Sequence, residues 1–97
     1  MAFIQSIEFA TDRSGEMLEL MRKWSDDAIG SGTAQRATMA ADRSDPGRYV
    51  MAVWFESAEA AAENSERRET DTYAAEFSQL CSDGPTFRDF DVIETYG

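Results

Sequence analysis

The chain contains no histidine and only one cysteine, and these two counts restrict the chemistry that is open to it. Without histidine there is no Ser-His or Cys-His nucleophile pair, no His-rich zinc site and no proximal histidine for haem. Cys81 alone cannot build a thiolate metal cluster. Asp89 and Asp91 share a strand face but lack a third ligand, so we expect no metal and no other cofactor. Any catalysis must use Tyr, Arg, Asn, Trp or carboxylates, or the reactivity of the substrate itself.

Five side chains have the chemistry to bind a small molecule, and they are Trp24, Trp54, Asn64, Tyr73 and Arg88. Indole rings suit flat aromatic ligands, a phenol or carboxamide supplies hydrogen bonds, and a guanidinium recognises an acidic or enolate-like group. Each residue also has a structural explanation. The tryptophans and Tyr73 fit core or dimer packing, Asn64 fits a helix cap or break, and Arg88 fits pairing with a carboxylate. The sequence leaves both explanations open, and it assigns no catalytic residue.

The overall charge argues against two classes of partner. Nineteen acidic residues against nine basic ones give a net charge of −10. Such a surface repels phosphate backbones and anionic lipid, so we expect neither a nucleic-acid nor a membrane partner. No apolar run approaches the roughly 18 residues of a membrane span, and the start MAFIQSIEF lacks the basic region of a signal peptide. With a single cysteine, the expected location is the cytoplasm.

The elements that must position these residues follow from periodicity and breaker residues. Ser14 is expected to cap the first helix, which ends near Gly30 and Gly32, and Ser57 is expected to cap the second. The second helical region has polar residues at its front end, followed by an apolar stripe that contains Tyr73. We predict strands at 3–10, 34–41, 49–56 and 86–94, and helices at 15–30, 58–64 and 66–82, with a break around 67–70.

The order of these elements predicts a single α+β domain over residues 1–97, with a ferredoxin-like βαββαβ arrangement and an antiparallel sheet. Its two inner strands, the first and the third, carry apolar residues on both faces. Two helices cover only one face of such a sheet, and a face in contact with water should show polar residues at every second position. We therefore expect a homodimer in which the second faces pair.

Three segments resemble the dimeric α/β-barrel superfamily, in particular antibiotic-biosynthesis-monooxygenase-like proteins. They are YVMAVWFESAEAAAENS (residues 49–65), ETDTYAAEF (residues 69–77) and GPTFRDFDV (residues 84–92). The resemblance spans essentially the whole chain. It implies paired sheets that form a barrel and a pocket between sheet and helices in each protomer. It also implies, for part of the family, cofactor-independent oxidation of reduced aromatic polyketides by molecular oxygen.

The chain departs from the family at positions that matter for activity. The first strand offers Gln5 and Ser6 where the oxygenases often have asparagine, and Arg68 stands where close relatives would have proline. The haem-degrading members need a histidine that this chain lacks. Two hypotheses therefore remain. One is a cofactor-free monooxygenase that acts on an aromatic or polyketide-like molecule, and the other is a non-catalytic ligand-binding or dimerisation module.

Overall fold

Four strands and three helices alternate along the chain in the computed structural model, which describes residues 1–97. Neighbouring strands are all antiparallel, in the order β2-β3-β1-β4. This is the predicted ferredoxin-like βαββαβ arrangement, with its second helical region divided in two. In chain order the elements are β1 (Phe3–Ala10), α1 (Ser14–Gly30), β2 (Ala34–Ala41), β3 (Arg48–Phe55), α2 (Ala58–Ser65), α3 (Arg68–Leu80) and β4 (Asp83–Asp91).

The helices pack on one side of the sheet, which we call the inner face. Odd-numbered residues of β1 and β3 point to this side because side chains alternate along a strand. Phe9 and Phe77 meet edge to face, with ring centroids 4.8 Å apart, and neither ring is accessible to solvent. Met17 of α1 is equally buried. Burial of a side chain of this size stabilises the fold by about 1.5–3 kcal/mol, so this cluster anchors both long helices to the sheet.

The opposite side of the sheet, the outer face, has no helix over it. One row of neighbouring residues crosses all four strands, because the strand registers pair Arg36 with Trp54, Trp54 with Ile4, and Ile4 with Phe90. Val50 and Phe90 remain exposed on this face. The predicted apolar character of both faces of the inner strands is therefore present in the structure.

The two expected helix caps have different outcomes. The Ser57 hydroxyl accepts a hydrogen bond from the backbone N–H of Ala60 at 3.1 Å and caps α2, as predicted. The expectation for Ser14 is wrong, because Ser14 is the first residue of α1 and Arg13 precedes it without a side-chain cap. The Thr11 hydroxyl accepts from the Arg13 N–H at 3.0 Å, which satisfies the backbone donor of the residue before the helix but caps none of the first-turn N–H groups.

The break between α2 and α3 is real, and it is built around the carbonyl of Asn64. That oxygen accepts from the Arg67 N–H at 3.3 Å and from the Thr70 hydroxyl at 2.6 Å. Arg67 itself is extended, with φ −69° and ψ 139°, which ends the helical geometry. The junction therefore holds the last turn of α2 rigidly, and Asn64 with it.

Strand β4 begins three residues earlier than predicted, at Asp83 rather than at residue 86, and also ends three residues earlier, at Asp91 rather than at residue 94. Gly84 makes the early start possible. Its φ is +84°, and a Cβ at this position would lie 2.8 Å from the carbonyl oxygen of Glu8. The sequence prediction used Asp83-Gly84-Pro85 as the end of the preceding helix, because glycine followed by proline usually ends an element. None of the three helices has the length and apolar composition that a bilayer crossing requires.

A candidate ligand cavity between the helices and the sheet

A small cavity lies between the inner face of the sheet and helices α1 and α2. Its volume is about 40 Å³, and nine of its twelve lining residues are hydrophobic. Helix α1 forms one wall, β1, β2 and β3 form the floor, and the end of α2 closes one side. The lining residues are Gln5, Ile7, Trp24, Ser25, Ala28, Ile29, Ala34, Ala37, Met51, Val53, Phe55 and Asn64.

The polar groups of the cavity are a hydroxyl and two carboxamides, from Ser25, Gln5 and Asn64. The Gln5 amide nitrogen donates to a carboxylate oxygen of Asp89 on the neighbouring strand at 3.2 Å, which fixes its orientation. No Asp, Glu, His, Cys, Lys or Arg side chain belongs to the lining. This set of groups orients a ligand by hydrogen bonds. It does not fit a metal ion, which requires carboxylate, imidazole or thiolate ligands.

Trp24 forms the outer wall of the cavity and is itself held in place by aromatic neighbours. Its ring stacks on Tyr73 with a centroid distance of 6.2 Å and an interplanar angle of 21°, and it meets Phe77 edge to face at 5.7 Å. The side chain is only partly buried, so one edge of the indole remains accessible. Trp24 therefore offers a flat, preoriented surface to an aromatic ligand.

Asn64 is the unusual residue of the site. It is buried, with 7% of its surface accessible, yet its side-chain oxygen has no hydrogen-bond partner. An unpaired buried polar group costs about 1–3 kcal/mol, and native structures contain few of them. The other end of the carboxamide, the side-chain nitrogen, is not among the buried unpaired atoms, so it is the end that can donate to a ligand in the cavity.

Arg67 lies directly behind Asn64. Its Nη2 is 3.2 Å from a carboxylate oxygen of Asp27 on α1, and this pair is largely buried, with side-chain exposures of 19% and 23%. Its Nη1 is fully buried and has no partner. Both unpaired atoms face Gly32, where a Cβ would lie 2.3 Å from Asn64 Oδ1 and 2.6 Å from Arg67 Nη1. Only a residue without a side chain fits here.

The structure separates the five predicted binding residues into two groups. Trp24 and Asn64 line the cavity, and Tyr73 supports Trp24 from behind. Trp54 and Arg88 lie on the outer face, away from the cavity, because their registered partners are Ile4 and Ser6. There the Arg88 guanidinium stacks on the Phe90 ring at 5.3 Å and Arg36 stacks on Trp54 at 4.8 Å.

Sequence reasoning did not select three residues that the structure places at or beside the site. Gln5 interrupts the apolar inner face of β1, and that interruption was a usable signal. Ser25 and Arg67 carried no such signal. Their positions depend on how the end of α1 meets the α2–α3 junction, which the local pattern does not encode.

The cavity is small for an aromatic ligand in its present form. A dry cavity that binds benzene has a volume of about 150 Å³, whereas this one has about 40 Å³. Entry of a ring therefore requires a wall to move outward. Ile29, with 44% of its surface accessible, is the most exposed residue of the lining, and its displacement would widen the space.

Comparison with solved structures identifies the class to which this fold belongs. SnoaB from Streptomyces nogalater, a cofactor-independent oxygenase solved as an asparagine-to-alanine variant, aligns with a TM-score of 0.87 and 13% identity over 97% of this chain and 95% of that chain. A Nitrosomonas europaea protein, provisionally described as an antibiotic biosynthesis monooxygenase, aligns with a TM-score of 0.85 and 14% identity over 99% of this chain and 94% of that chain. A Mycobacterium tuberculosis protein aligns with a TM-score of 0.84 and 10% identity over the full length of both chains.

No family profile and no curated protein matches the sequence. The fold is nevertheless defined by structure. The chain is ferredoxin-like, and within that class it has the fold of the antibiotic biosynthesis monooxygenase family.

Proposed function

We propose that the protein binds a small aromatic or polyketide-like molecule in this cavity and oxygenates it without metal or flavin. The observation that carries the proposal is an apolar cavity that is walled by Trp24 and contains one buried carboxamide, that of Asn64, whose nitrogen can donate to a ligand oxygen. The structural likeness to SnoaB, a cofactor-independent oxygenase, supports the choice of reaction.

A reaction without a cofactor requires a substrate that supplies all the electrons itself. A methylene group between two aromatic rings and conjugated to a carbonyl meets this need, because loss of a proton gives an enolate that reduces molecular oxygen. The methylene becomes a carbonyl with one oxygen atom, and the other oxygen atom leaves as water. The contribution of the protein is to hold the ring against Trp24 and to stabilise the developing oxyanion through a hydrogen bond from Asn64.

Anthrone has this arrangement of methylene and carbonyl, and it provides the test. Protein should accelerate oxygen uptake by anthrone above the spontaneous rate and yield anthraquinone with one oxygen atom from labelled O₂. Replacement of Asn64 by Leu should reduce the accelerated rate by about 10²-fold or more, the scale seen for loss of one oxyanion donor. Glu63→Gln, at the exposed neighbouring position, is the control. No acceleration by wild-type protein would refute the oxygenase proposal.

A second candidate, a non-catalytic ligand-binding protein, is favoured by one specific observation. No titratable side chain lines the cavity, so no group there is placed to remove a proton from a substrate. Tyr73 is a phenol beside this site, through its contact with Trp24. Turnover that survives Tyr73→Phe would exclude a catalytic role for its hydroxyl. Saturable binding of anthrone without any oxygen uptake would support the binding protein.

We also propose that two copies associate through their outer faces, in the cytoplasm. Helices cover only the inner face, and the outer face presents Trp54, Phe90 and Val50 to its surroundings. The rows of the outer face that contain Trp54 and Ala52 include no carboxylate, although the chain has 19 acidic residues. Pairing of these faces therefore avoids the repulsion that two copies of net charge −10 would otherwise meet.

A further inference from the structure

Three polar side chains that belong to different elements converge behind the cavity. Asp27 lies near the end of α1, Asn64 near the end of α2, and Arg67 in the junction before α3. The Arg67 guanidinium reaches Asp27 through Nη2 at 3.2 Å. Its other terminal nitrogen, Nη1, and the Asn64 side-chain oxygen are both buried without partners and both face Gly32. The guanidinium thus uses Nη2 for Asp27 and, at 3.8 Å, for Glu69, and its Nη1 is an unused donor beside an unused acceptor.

The chemistry of these groups decides which end of the carboxamide faces the arginine. A guanidinium only donates hydrogen bonds, whereas a carboxamide has an accepting oxygen and a donating nitrogen. Only the oxygen can therefore accept from Arg67 Nη1, and in the structure the two atoms both lie beside Gly32 without forming a hydrogen bond. Of the two ends of the carboxamide, only the oxygen is buried without a partner, so the nitrogen is the end left accessible from the cavity.

We infer that Arg67 is a positioning residue that fixes the Asn64 carboxamide with its N–H groups directed into the cavity. The ligand group bound there is then a hydrogen-bond acceptor, a carbonyl or enolate oxygen, and an apolar group in its place is rejected. The inference rests on the proposed function for the existence of a ligand, and it adds which residue sets the selectivity. Asp27 takes part by holding the guanidinium in a fixed orientation.

The orientation can be measured without any ligand, because Asn64 is the only asparagine of the chain. Selective ¹⁵N-asparagine labelling gives one side-chain NH₂ pair in an NMR spectrum. We expect its two proton shifts to differ from those of a solvent-exposed asparagine in wild-type protein and to move towards those values in Arg67→Met. Arg68→Met is the matched control, since Arg68 is adjacent in sequence but exposed, and it should leave the signals in place.

A pair of ligands of the same shape tests the selectivity. Acetophenone carries a carbonyl oxygen where α-methylstyrene carries a CH₂ group. Wild-type protein should bind acetophenone about five- to tenfold more tightly, the value of one hydrogen bond. Arg67→Met should reduce this preference to less than about twofold with little change in α-methylstyrene binding. If Arg67→Met folds poorly, combination with Asp27→Asn removes the unpaired carboxylate that is left behind.

Arg67→Lys separates positioning from a merely structural role. Lysine retains a charge for Asp27 but lacks the planar fork that serves two partners at once. We expect this variant to remain folded and yet to lose the acetophenone preference. A preference that persists in both Arg67→Lys and Arg67→Met, with unmoved asparagine signals, would overturn the inference. If wild-type protein binds neither compound, the ligand proposal fails, and the asparagine signals still decide the role of Arg67.

Discussion

At the scale of single residues, the site depends on a position that has no side chain. Gly32 lies against Asn64 and Arg67, and its N–H donates to the Asp27 carbonyl at 3.1 Å. We predict that Gly32→Ala displaces both polar side chains and lowers the free energy of unfolding by about 1–3 kcal/mol. Gly30→Ala is the control, because a Cβ there meets nothing within 4 Å. Urea denaturation gives the free energy of unfolding of both variants. Equal values would show that the Asn64 and Arg67 side chains move away from residue 32 without loss of stability.

Cys81 provides a pH-dependent prediction at the same scale. Burial, and then the negative charge of Asp83, raise the pKa of the Cys81 thiol above its ordinary value. Because only the thiolate reacts, alkylation by iodoacetamide at pH 8 should be slower than for an unfolded control peptide, and it should rise as the pH increases towards the raised pKa. Asp83→Asn should lower the pKa and speed the reaction. A rate equal to that of the peptide would contradict this account.

The residue types that form the cavity were partly predictable from the sequence. Trp24, Asn64 and Tyr73 were selected by their chemistry alone, and the structure brings them together. Trp54 and Arg88 have equally suitable chemistry but point to the outer face. Residue type gives the capacity to bind, whereas the sheet face on which a side chain lies depends on strand pairing.

At the scale of elements, helix α2 matters because it carries Asn64 at its end. Its first turn is capped by Ser57, whereas Ser14 caps nothing in α1. Ser57→Ala should therefore cost about 1 kcal/mol, and Ser14→Ala should change stability by less than about 0.5 kcal/mol. Thermal or urea unfolding of the two variants gives the comparison. A larger loss for Ser14→Ala would contradict the assignment of the caps.

Most element boundaries were predicted because the breaker residues are strong. Strands β1 and β2 match their predicted ranges, and the break before α3 lies close to where it was expected. The start of β4 was missed because Gly84 and Pro85 were treated as the end of the preceding helix. In the folded sheet, a register shift interrupts the pairing with β1 at Gly84 and Pro85, and pairing resumes between Asp83 and Ala10. The local sequence signal at Gly84 and Pro85 predicts no strand there, whereas hydrogen bonding with β1 extends the strand to Asp83.

At the scale of the whole molecule, the uncovered outer face predicts self-association. Ala52 lies between Ser6 and Thr38 on this face. Wild-type protein should have the mass of a dimer in light scattering, and Ala52→Glu should give a folded monomer because a symmetric interface places like charges close together. Ala62→Glu adds the same charge at an exposed site of α2 and should remain dimeric. A monomeric wild type, or a dimeric Ala52→Glu, would contradict the pairing of outer faces.

The fold class was predictable from the order of elements, since few topologies accommodate βαββαβ. The family resemblance implies a pocket between sheet and helices, but the lining and size of the cavity were not predictable, because it forms where α1, the end of α2 and three strands meet. Its size depends on packing between segments that are distant in sequence, and periodicity reports only the local face of each element.

We expect an aromatic ligand to enter on the inner face beside Trp24. The chain has two tryptophans, and they lie on opposite faces of the sheet, so their indole N–H signals report the two sides separately. Titration of ¹⁵N-tryptophan-labelled protein with acetophenone, with signals assigned through Trp54→Phe, is the most direct measurement. We predict a saturable shift of the Trp24 signal with the Trp54 signal unchanged. A shift of Trp54 alone, or no shift up to the solubility limit, would contradict the claim.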